Sequence, residues 1–407
     1  MTFSLDKKKI NILLLEGVHS KAVDMFLNDG YTNVTHHTKA LEGQELLNAV
    51  SNAHIIGLRS RTQITADVLS SAPKLFAIGC FCIGTNQVNM EAARRRGIPV
   101  FNAPFSNTRS VAELVIAEMI MLMRGIPQRN MALHLTGEWL KNADKSHEVR
   151  GKTLGIIGYG HIGMQVSAIA ENLGMNVIYY DIVNKLCLGN ANPVSLDELL
   201  KASDIVSLHV PATELTENMI NDETIAGMKD GAHLINASRG AVVDIPALIL
   251  ALNSGKLSGA ALDVFPEEPK SKSDTFQSEL RNMPNVILTP HIGGSTIEAQ
   301  ENIGLEVADK MIKYSNNGST ISAVNFAEVS LPQHEGKRRI LHIHKNLPGM
   351  LMHLNELFSS MNLNISAQYL QTHEDIGYVV TDIETSDDIS LREINKLEGT
   401  IRSRILY

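Results

Sequence analysis

The stretch Leu154-Gly-Ile-Ile-Gly158-Tyr-Gly160-His-Ile-Gly163 decides how the rest of the chain is read. Three glycines at this spacing suit a turn pressed against the phosphates of a dinucleotide, but GxGxxG by itself is equally a glycine-rich bend between strand and helix. Its surroundings narrow the reading. The apolar run before Gly158 reads as a strand, MQVSAIAENLG after Gly163 has helical periodicity, and MNVIYYD closes on Asp181, eighteen residues past the last glycine. Gly158 permits the tight turn, Gly160 lets backbone approach a pyrophosphate, and Gly163 lets the helix pack closely on the strand. The start of that helix, His161 and Ile162, offers N–H groups and a favourable dipole to an anion. Asp181 can accept the hydroxyls of an adenosine ribose and repels a 2′-phosphate, so the loop predicts NAD over NADP, with Lys185 the nearest cation downstream.

Outward from this motif the chain alternates short apolar runs with amphipathic segments. INILLLEG, AHIIGLRS, LFAIGCF and GIPVFN form one series; KTLGIIG, MNVIYYD, SDIVSLHVP, GAHLINASRG, SGAALDVF and NVILTPHIGG form a second. Both predict parallel sheets with helices on their faces. SVAELVIAEMIMLMR, residues 110–124, is apolar almost all round and reads as a helix buried at an interface and linking the lobes. A helical pattern over 296–314 returns the chain to the first lobe, which puts the site in the cleft between them. The last stretch runs strand, helix, strand, strand, helix, strand, a ferredoxin-like order. The expected fold class is therefore α/β: two Rossmann-like, doubly wound parallel-sheet lobes plus a C-terminal ferredoxin-like α+β domain. Residues 1–105 and 295–330 are assigned to one lobe, 106–294 to the dinucleotide lobe, 331–336 to a linker and 337–407 to the small domain.

Composition bounds the partners. With 407 residues, a net charge of −8 and an ordinary globular balance of 44% hydrophobic and 20% charged residues, the chain is not expected to bind nucleic acid or membrane. No apolar run approaches the roughly 20 residues needed to cross a bilayer. Three cysteines, Cys80, Cys82 and Cys187, are too few and too irregular for a disulfide framework or a zinc site, which fits a cytoplasmic protein.

Ligands bind beyond the carboxyl ends of strands in open α/β sheets. Three such ends carry reactive side chains: Asn236-Ala-Ser238-Arg239-Gly240, Asp263-Val-Phe-Pro-Glu267-Glu268-Pro269 and Thr289-Pro-His291-Ile-Gly293-Gly294. Singly, Arg239 reads as a surface ion pair, Glu268 as a solvated turn and His291 as a structural histidine. Together beside a nicotinamide they suit reduction of a 2-oxo acid, which needs a carboxylate clamp and a proton donor.

These motifs, with GLRSRT and CFCIGTNQVN, resemble those of the D-isomer-specific 2-hydroxyacid dehydrogenases over essentially the whole chain. The resemblance implies that Arg239, Glu268 and His291 are catalytic. It implies cofactor contacts from His161, Ile162, Asp181, Ala237, Ser238, Arg239 and Asp263, with His291, Gly293 and Gly294 beside the ring. Within the family it points to oxidation of D-3-phosphoglycerate, the first step of phosphorylated serine synthesis, and some relatives also reduce 2-oxoglutarate. A phosphate needs cations, and Arg59, Ser60 and Arg61 at a strand end, Lys39, and Lys141 reaching from a neighbouring subunit are the expected set. Backbone around Gly84 is expected at the substrate carboxylate.

The tail resembles an ACT domain, which implies L-serine as effector held by His344 and Asn346 with Asn364 opposite, and a homotetramer. The HxH of His342 and His344 lacks further ligands at metal spacing, so no metal is expected. Two rivals stay open: a glyoxylate, hydroxypyruvate or D-lactate reductase, which has no use for RSR or a serine-sensing tail, and an NAD-sensing corepressor.

Overall fold

The computed structural model describes residues 5–269, 274–334, 338–385 and 391–406. Residues 335 and 336 of the expected linker lie outside them. The chain forms two compact units, Met1–Ser106 with Gln300–Tyr407, and Asn107–Ala299.

The first unit is built on β1 (Asn11–Leu14), β2 (Asn33–His36), β3 (Ile55–Leu58), β4 (Ala77–Cys80) and β5 (Val100–Phe101). These run parallel in the order β2-β1-β3-β4-β5. β3 and β4 are buried at every position, as expected for strands covered on both faces. The helix Ile297–Asn317 lies against β4 so closely that a Cβ at Gly79 would fall 2.6 Å from the Met311 sulfur.

The second unit holds β6 (Thr153–Ile157), β7 (Asn176–Tyr180), β8 (Asn192–Pro193), β9 (Ile205–Leu208), β10 (Ala232–Asn236), β11 (Leu257–Leu262) and β12 (Val286–Leu288). All pair in parallel, in the order β12-β11-β10-β9-β6-β7-β8. The order reverses beside β6, so the glycine loop at its carboxyl end leaves at the topological switch, where open sheets bind ligands. The helix Thr108–Met123 begins just after the chain enters this unit. It is buried within this unit, with Val115 and Met119 packed among Leu154, Ile156, Ile235 and Ala261.

The tail strands β13 (Arg338–Lys345), β14 (Ile365–His373), β15 (Ile376–Ile383) and β16 (Thr400–Leu406) make an antiparallel sheet in the order β14-β15-β13-β16. The helix Met350–Ser360 buries Met350, Leu354 and Phe358, one face of a 3.6-residue period. Sequence order suggests a free-standing module, but this sheet shares a core with the first. Leu341, Ile343, Tyr378 and Val380 sit in one cluster with Phe101 and Tyr314. Arg339, fully buried, grips Asp382 with two bonds of 2.6 and 2.7 Å and donates to the carbonyls of Asn317 and Pro332. Removing one partner of such a pair leaves an uncompensated charge, a loss of roughly 3–5 kcal/mol. Among the described residues no helix is long and apolar enough to cross a membrane.

Glu118 stands out in the second core. It is fully buried, and among the described residues neither carboxyl oxygen accepts a well-formed hydrogen bond, the nearby Thr289 hydroxyl donating to Asp263 instead. Burial, aided by the charge of Asp263 and opposed by the Thr289 hydroxyl, lifts its pKa from 4.5 to about 8. Between those values the folded chain holds a proton that the unfolded chain releases, so stability is full below pH 4.5 and is lost as pH rises toward about 8. Glu118→Gln is expected to flatten this dependence and to raise the unfolding midpoint near pH 8. Thermal unfolding of both proteins across pH 5–8 checks it, and parallel curves would contradict the assignment.

Candidate active site

In the second unit three strand ends converge. After β10 the Asn236 side chain accepts from the Ser238 N–H (3.0 Å) and hydroxyl (2.8 Å) and donates to the Arg239 carbonyl (3.0 Å), winding the turn around a buried amide. Arg239 Nη1 donates back to the Ser238 carbonyl at 2.7 Å. Any Cβ at Gly240 would fall 2.0 Å from the Phe265 carbonyl carbon, so this turn lies directly on the segment that carries Glu268.

After β11 comes Asp263, 2% exposed, whose carboxylate accepts from the Thr289 hydroxyl (2.6 Å) and from the N–H groups of Ile292 (2.7 Å) and Gly293 (2.8 Å). That grip bends the loop after β12 and places His291 in the left-handed region at φ 54°. Side chains other than glycine pay for that conformation, so the loop holds this residue in a costly backbone. The His291 ring meets Glu268, with Nδ1 2.9 Å from Oε2 and 3.1 Å from Oε1.

The electrostatics favour a charged pair. The hydrogen bond to Glu268 raises the His291 pKa against the opposing effect of burial, the charges of Glu268 and Asp263 add to it, and Arg239 lowers it. Burial alone would raise Glu268. It nevertheless sits below the usual carboxylate range, because His291 and the Phe265 N–H donate to it and Arg239 is near. With Nδ1 on the carboxylate, Nε2 is left to exchange a proton with a ligand. The structure thus brings together Arg239, Glu268 and His291, a guanidinium fork beside a proton donor and its orienting acid. Such a group can clamp a carboxylate and protonate a neighbouring carbonyl.

The glycine loop has the shape a dinucleotide requires. Gly158 has φ 93°, and a Cβ there would fall 2.6 Å from the His209 carbonyl oxygen; at Gly163 it would fall 2.3 Å from the Gly158 carbonyl oxygen. At Gly160 nothing lies within 4 Å, leaving space for a pyrophosphate. No side chain caps the helix His161–Asn172, whose first turn includes His161 and Ile162. Asp181 accepts from the N–H groups of Tyr159 (2.8 Å) and Val183 (2.9 Å), which fixes the carboxylate at the end of β7. The next residues, Ile182 and Val183, are apolar and exposed, with no cation for a 2′-phosphate.

In the first unit, Lys39, Arg59, Ser60, Arg61 and Gly84 all lie on loops at the carboxyl edge of the sheet. Lys39, Arg59 and Arg61 form no ion pair among the described residues. Sequence reading missed the two side chains that hold these loops. Glu16, in the left-handed region at φ 65°, accepts from the N–H groups of Arg61 (2.9 Å) and Thr62 (2.8 Å). Gln87 Nε2 donates to the carbonyls of Arg59 (2.6 Å) and Gly84 (3.2 Å) and to Cys82 Sγ (3.3 Å). The one local signal was an acid directly before a glycine at a strand end, Glu16-Gly17. Burial pushes the Cys82 thiol up to about 11, consistent with a packing role. Lys141 belongs to the second unit, exposed beside Trp139.

In the tail, His344 and Asn346 line one concavity with Leu347, Met350, Leu370 and Thr372. Both histidines are held neutral: burial lowers His342 to about 3, and burial lowers His344 despite its bond to the Lys345 carbonyl. Among the described residues His344 Nε2 is buried without a hydrogen-bond partner. Asn364 does not join them within one chain. It precedes β14, whereas the His344 end of the sheet meets the far end of that strand through Gly377 and Thr372, roughly 25 Å of extended chain away.

Comparison with known proteins agrees with this geometry. Residues 116–293 match the family described as D-isomer specific 2-hydroxyacid dehydrogenase, NAD binding domain, and residues 340–402 match the AHAS small subunit-like ACT domain. The chain belongs to the D-isomer specific 2-hydroxyacid dehydrogenases, and is an NAD-dependent oxidoreductase. It is 62% identical over 406 residues to D-3-phosphoglycerate dehydrogenase of Haemophilus influenzae, covering 99% of each chain, and 60% identical over 408 residues to that of Escherichia coli, again covering 99% of each. Among solved structures it is similar to D-lactate dehydrogenase from Aquifex aeolicus complexed with NAD and lactic acid, at TM-score 0.65 and 31% identity, covering 75% of this chain and 95% of that one.

His291→Ala is expected to lower turnover on the order of 10²–10⁴-fold. Because Glu268 raises the histidine pKa, reduction, which uses the imidazolium, should persist to a higher pH than an isolated imidazole allows. Glu268→Gln should move the alkaline loss of reduction to lower pH. Steady-state pH profiles of kcat/KM for the two proteins check this, and an unmoved limb would detach Glu268 from His291.

Proposed function

We propose that the enzyme oxidises D-3-phosphoglycerate to 3-phosphohydroxypyruvate and catalyses the reverse reduction. The observation that carries this reading is the identity of 62% along the full length, tail included, to a D-3-phosphoglycerate dehydrogenase. The cations Lys39, Arg59 and Arg61, unpaired among the described residues, support it, because a second anionic group on the substrate gives them a partner. The dinucleotide held by the glycine loop would supply the acceptor for the C2 hydride in oxidation and, reduced, its donor in the reverse direction.

The chain's residues do the rest. Arg239 clamps the substrate carboxylate and polarises the adjacent oxygen. In oxidation neutral His291 takes the hydroxyl proton at Nε2, and Glu268 stabilises the imidazolium that forms. In reduction the imidazolium returns that proton to the carbonyl oxygen. Asp263 holds the loop so that the ring does not turn away. Gly158, Gly160 and Gly163 with the helix N-terminus take the pyrophosphate, Asp181 the ribose, and the Ala237–Arg239 turn, Gly293 and Gly294 the nicotinamide end.

The tail is read as a sensor for L-serine. His344 and Asn346 of one protomer would hold the amino acid, and Asn364 comes from a second copy, which accounts for its distance within one chain. Large exposed apolar side chains on the second unit, Leu135, Trp139 and Leu186, favour a second contact between copies and hence a homotetramer, with Lys141 serving a neighbouring site.

NADH consumption with 3-phosphohydroxypyruvate tests the substrate directly. Arg59→Ala is expected to raise KM for that acid far more than for unphosphorylated hydroxypyruvate; equal changes would remove phosphate recognition from Arg59. L-Serine is expected to inhibit the parent enzyme and to lose its effect on Asn346→Ala, and an uninhibited parent would leave the tail as an assembly element.

A further inference from the structure

We infer that Glu16 and Gln87 form a buried clamp that positions the substrate cations and thereby sets the preference for a phosphorylated acid. The inference rests on the reading of Arg59 and Arg61 as phosphate ligands.

The two side chains hold the same loop from opposite directions. Glu16 takes the N–H groups of two consecutive residues, Arg61 and Thr62, one on each carboxylate oxygen. Gln87 takes the Arg59 carbonyl, and the same nitrogen reaches the Gly84 carbonyl. The arginine loop is therefore tied on either side of Ser60, and the expected carboxylate-binding backbone at Gly84 is tied to it. Backbone bonds at residues 15–17 add the third loop: the Glu16 N–H donates to the Lys39 carbonyl (3.1 Å), the Gly17 N–H to the His37 carbonyl (3.0 Å) and the Leu15 N–H to the Gly57 carbonyl (2.8 Å). Two successive left-handed residues, Glu16 at φ 65° and Gly17 at φ 64°, make this possible. Glycine adopts that backbone freely and glutamate does not, so the fold retains a strained residue where only its carboxylate reaches both N–H groups.

The charge arrangement separates this clamp from an ordinary ion pair. Glu16 is 9% exposed and its carboxylate sits on the loop that carries Arg59 and Arg61. It nevertheless spends its oxygens on backbone N–H groups. A carboxylate paired with either guanidinium would compete with an incoming phosphate, whereas one bound to the backbone orients the arginines and leaves their charge for the ligand. Gln87, 3% exposed, is neutral and adds no competing charge. Both side chains spend their polar atoms on loop backbone, so both act through the loops they hold.

The test uses the intact enzyme and two substrates, 3-phosphohydroxypyruvate and hydroxypyruvate. Glu16→Gln removes the charge and turns an amide NH2 toward a backbone N–H; Gln87→Met keeps volume and frees the Arg59 and Gly84 carbonyls. Each is expected to raise KM for the phosphorylated acid by on the order of tenfold, as for loss of a charge-assisted or buried hydrogen bond, with kcat and the KM for NADH held within about twofold. Hydroxypyruvate kinetics should hardly move in Glu16→Gln; in Gln87→Met, which also frees the Gly84 backbone expected at the carboxylate shared by both acids, both KM values should rise, that for the phosphorylated acid by more. In an Arg59→Ala/Arg61→Ala background neither substitution should add a further loss, because both act through those residues. If the double arginine variant leaves the ratio of the two KM values unchanged, the phosphate reading fails and the clamp with it. If that variant shifts the ratio but neither Glu16→Gln nor Gln87→Met does, the clamp alone is wrong. Should Glu16→Gln not fold, Gln87→Met carries the decision.

Discussion

The carboxylate of Asp263 is the constraint on which the proposed reaction centre depends. Buried at the end of β11, it would carry a heavy desolvation penalty without donors. Three donors from the loop after β12 satisfy it, the Thr289 hydroxyl and the Ile292 and Gly293 N–H groups. Satisfying that charge folds the loop, and the folded loop forces His291 into its left-handed backbone with the ring on Glu268. The geometry of the acid–base group is thus a by-product of solvating one buried anion with protein. Burial, with the charge of Asp263 beside it, raises the pKa of the Glu118 carboxyl to about 8.

A common pattern runs through both units: carboxylates that meet backbone N–H groups prepare a surface without neutralising it. Asp263 does this for the histidine loop, Asp181 for the Tyr159 end of the glycine loop, and Glu16 for the arginine loop. Charge-assisted bonds to N–H groups are short and directional, and they leave side-chain cations available to a ligand. At the paired Glu268 and His291, where an acid meets a base side chain, the contact tunes a proton instead of fixing a loop.

Sequence reading recovered what depends on local order. The glycine loop was legible because turn, helix start and acidic strand end fall within one βαβ unit, and the three reactive strand ends because each follows a recognisable apolar run. It missed Glu16 and Gln87 because their partners lie 45 and 28 residues away, and an isolated glutamate or glutamine at a loop looks solvated until the sheet brings those partners in. Glu118 was hidden inside an apolar helix, where periodicity says nothing about what its carboxyl meets. The placement of Asn364 follows from antiparallel register, which spacing along the chain does not encode. The helix Thr108–Met123 was recognised as buried, but its address, inside the second unit, is a tertiary fact.

The shared core of the tail and the first sheet alters what a modular architecture means here. Tyr378 donates its hydroxyl to the Gly318 carbonyl at 2.6 Å, and a Cβ at Gly318 would fall 2.5 Å from a Leu341 methyl. A guanidinium from β16, Arg404, lies 3.9 Å from the ring centroid of Phe76. The C-terminal segment is therefore no detachable cassette: cutting it away would strip the lid from Phe101 and Tyr314 and leave an oily scar on the remaining half. Grafting a foreign sensor onto this scaffold would require rebuilding that seam, residue for residue, before any question of signalling arose.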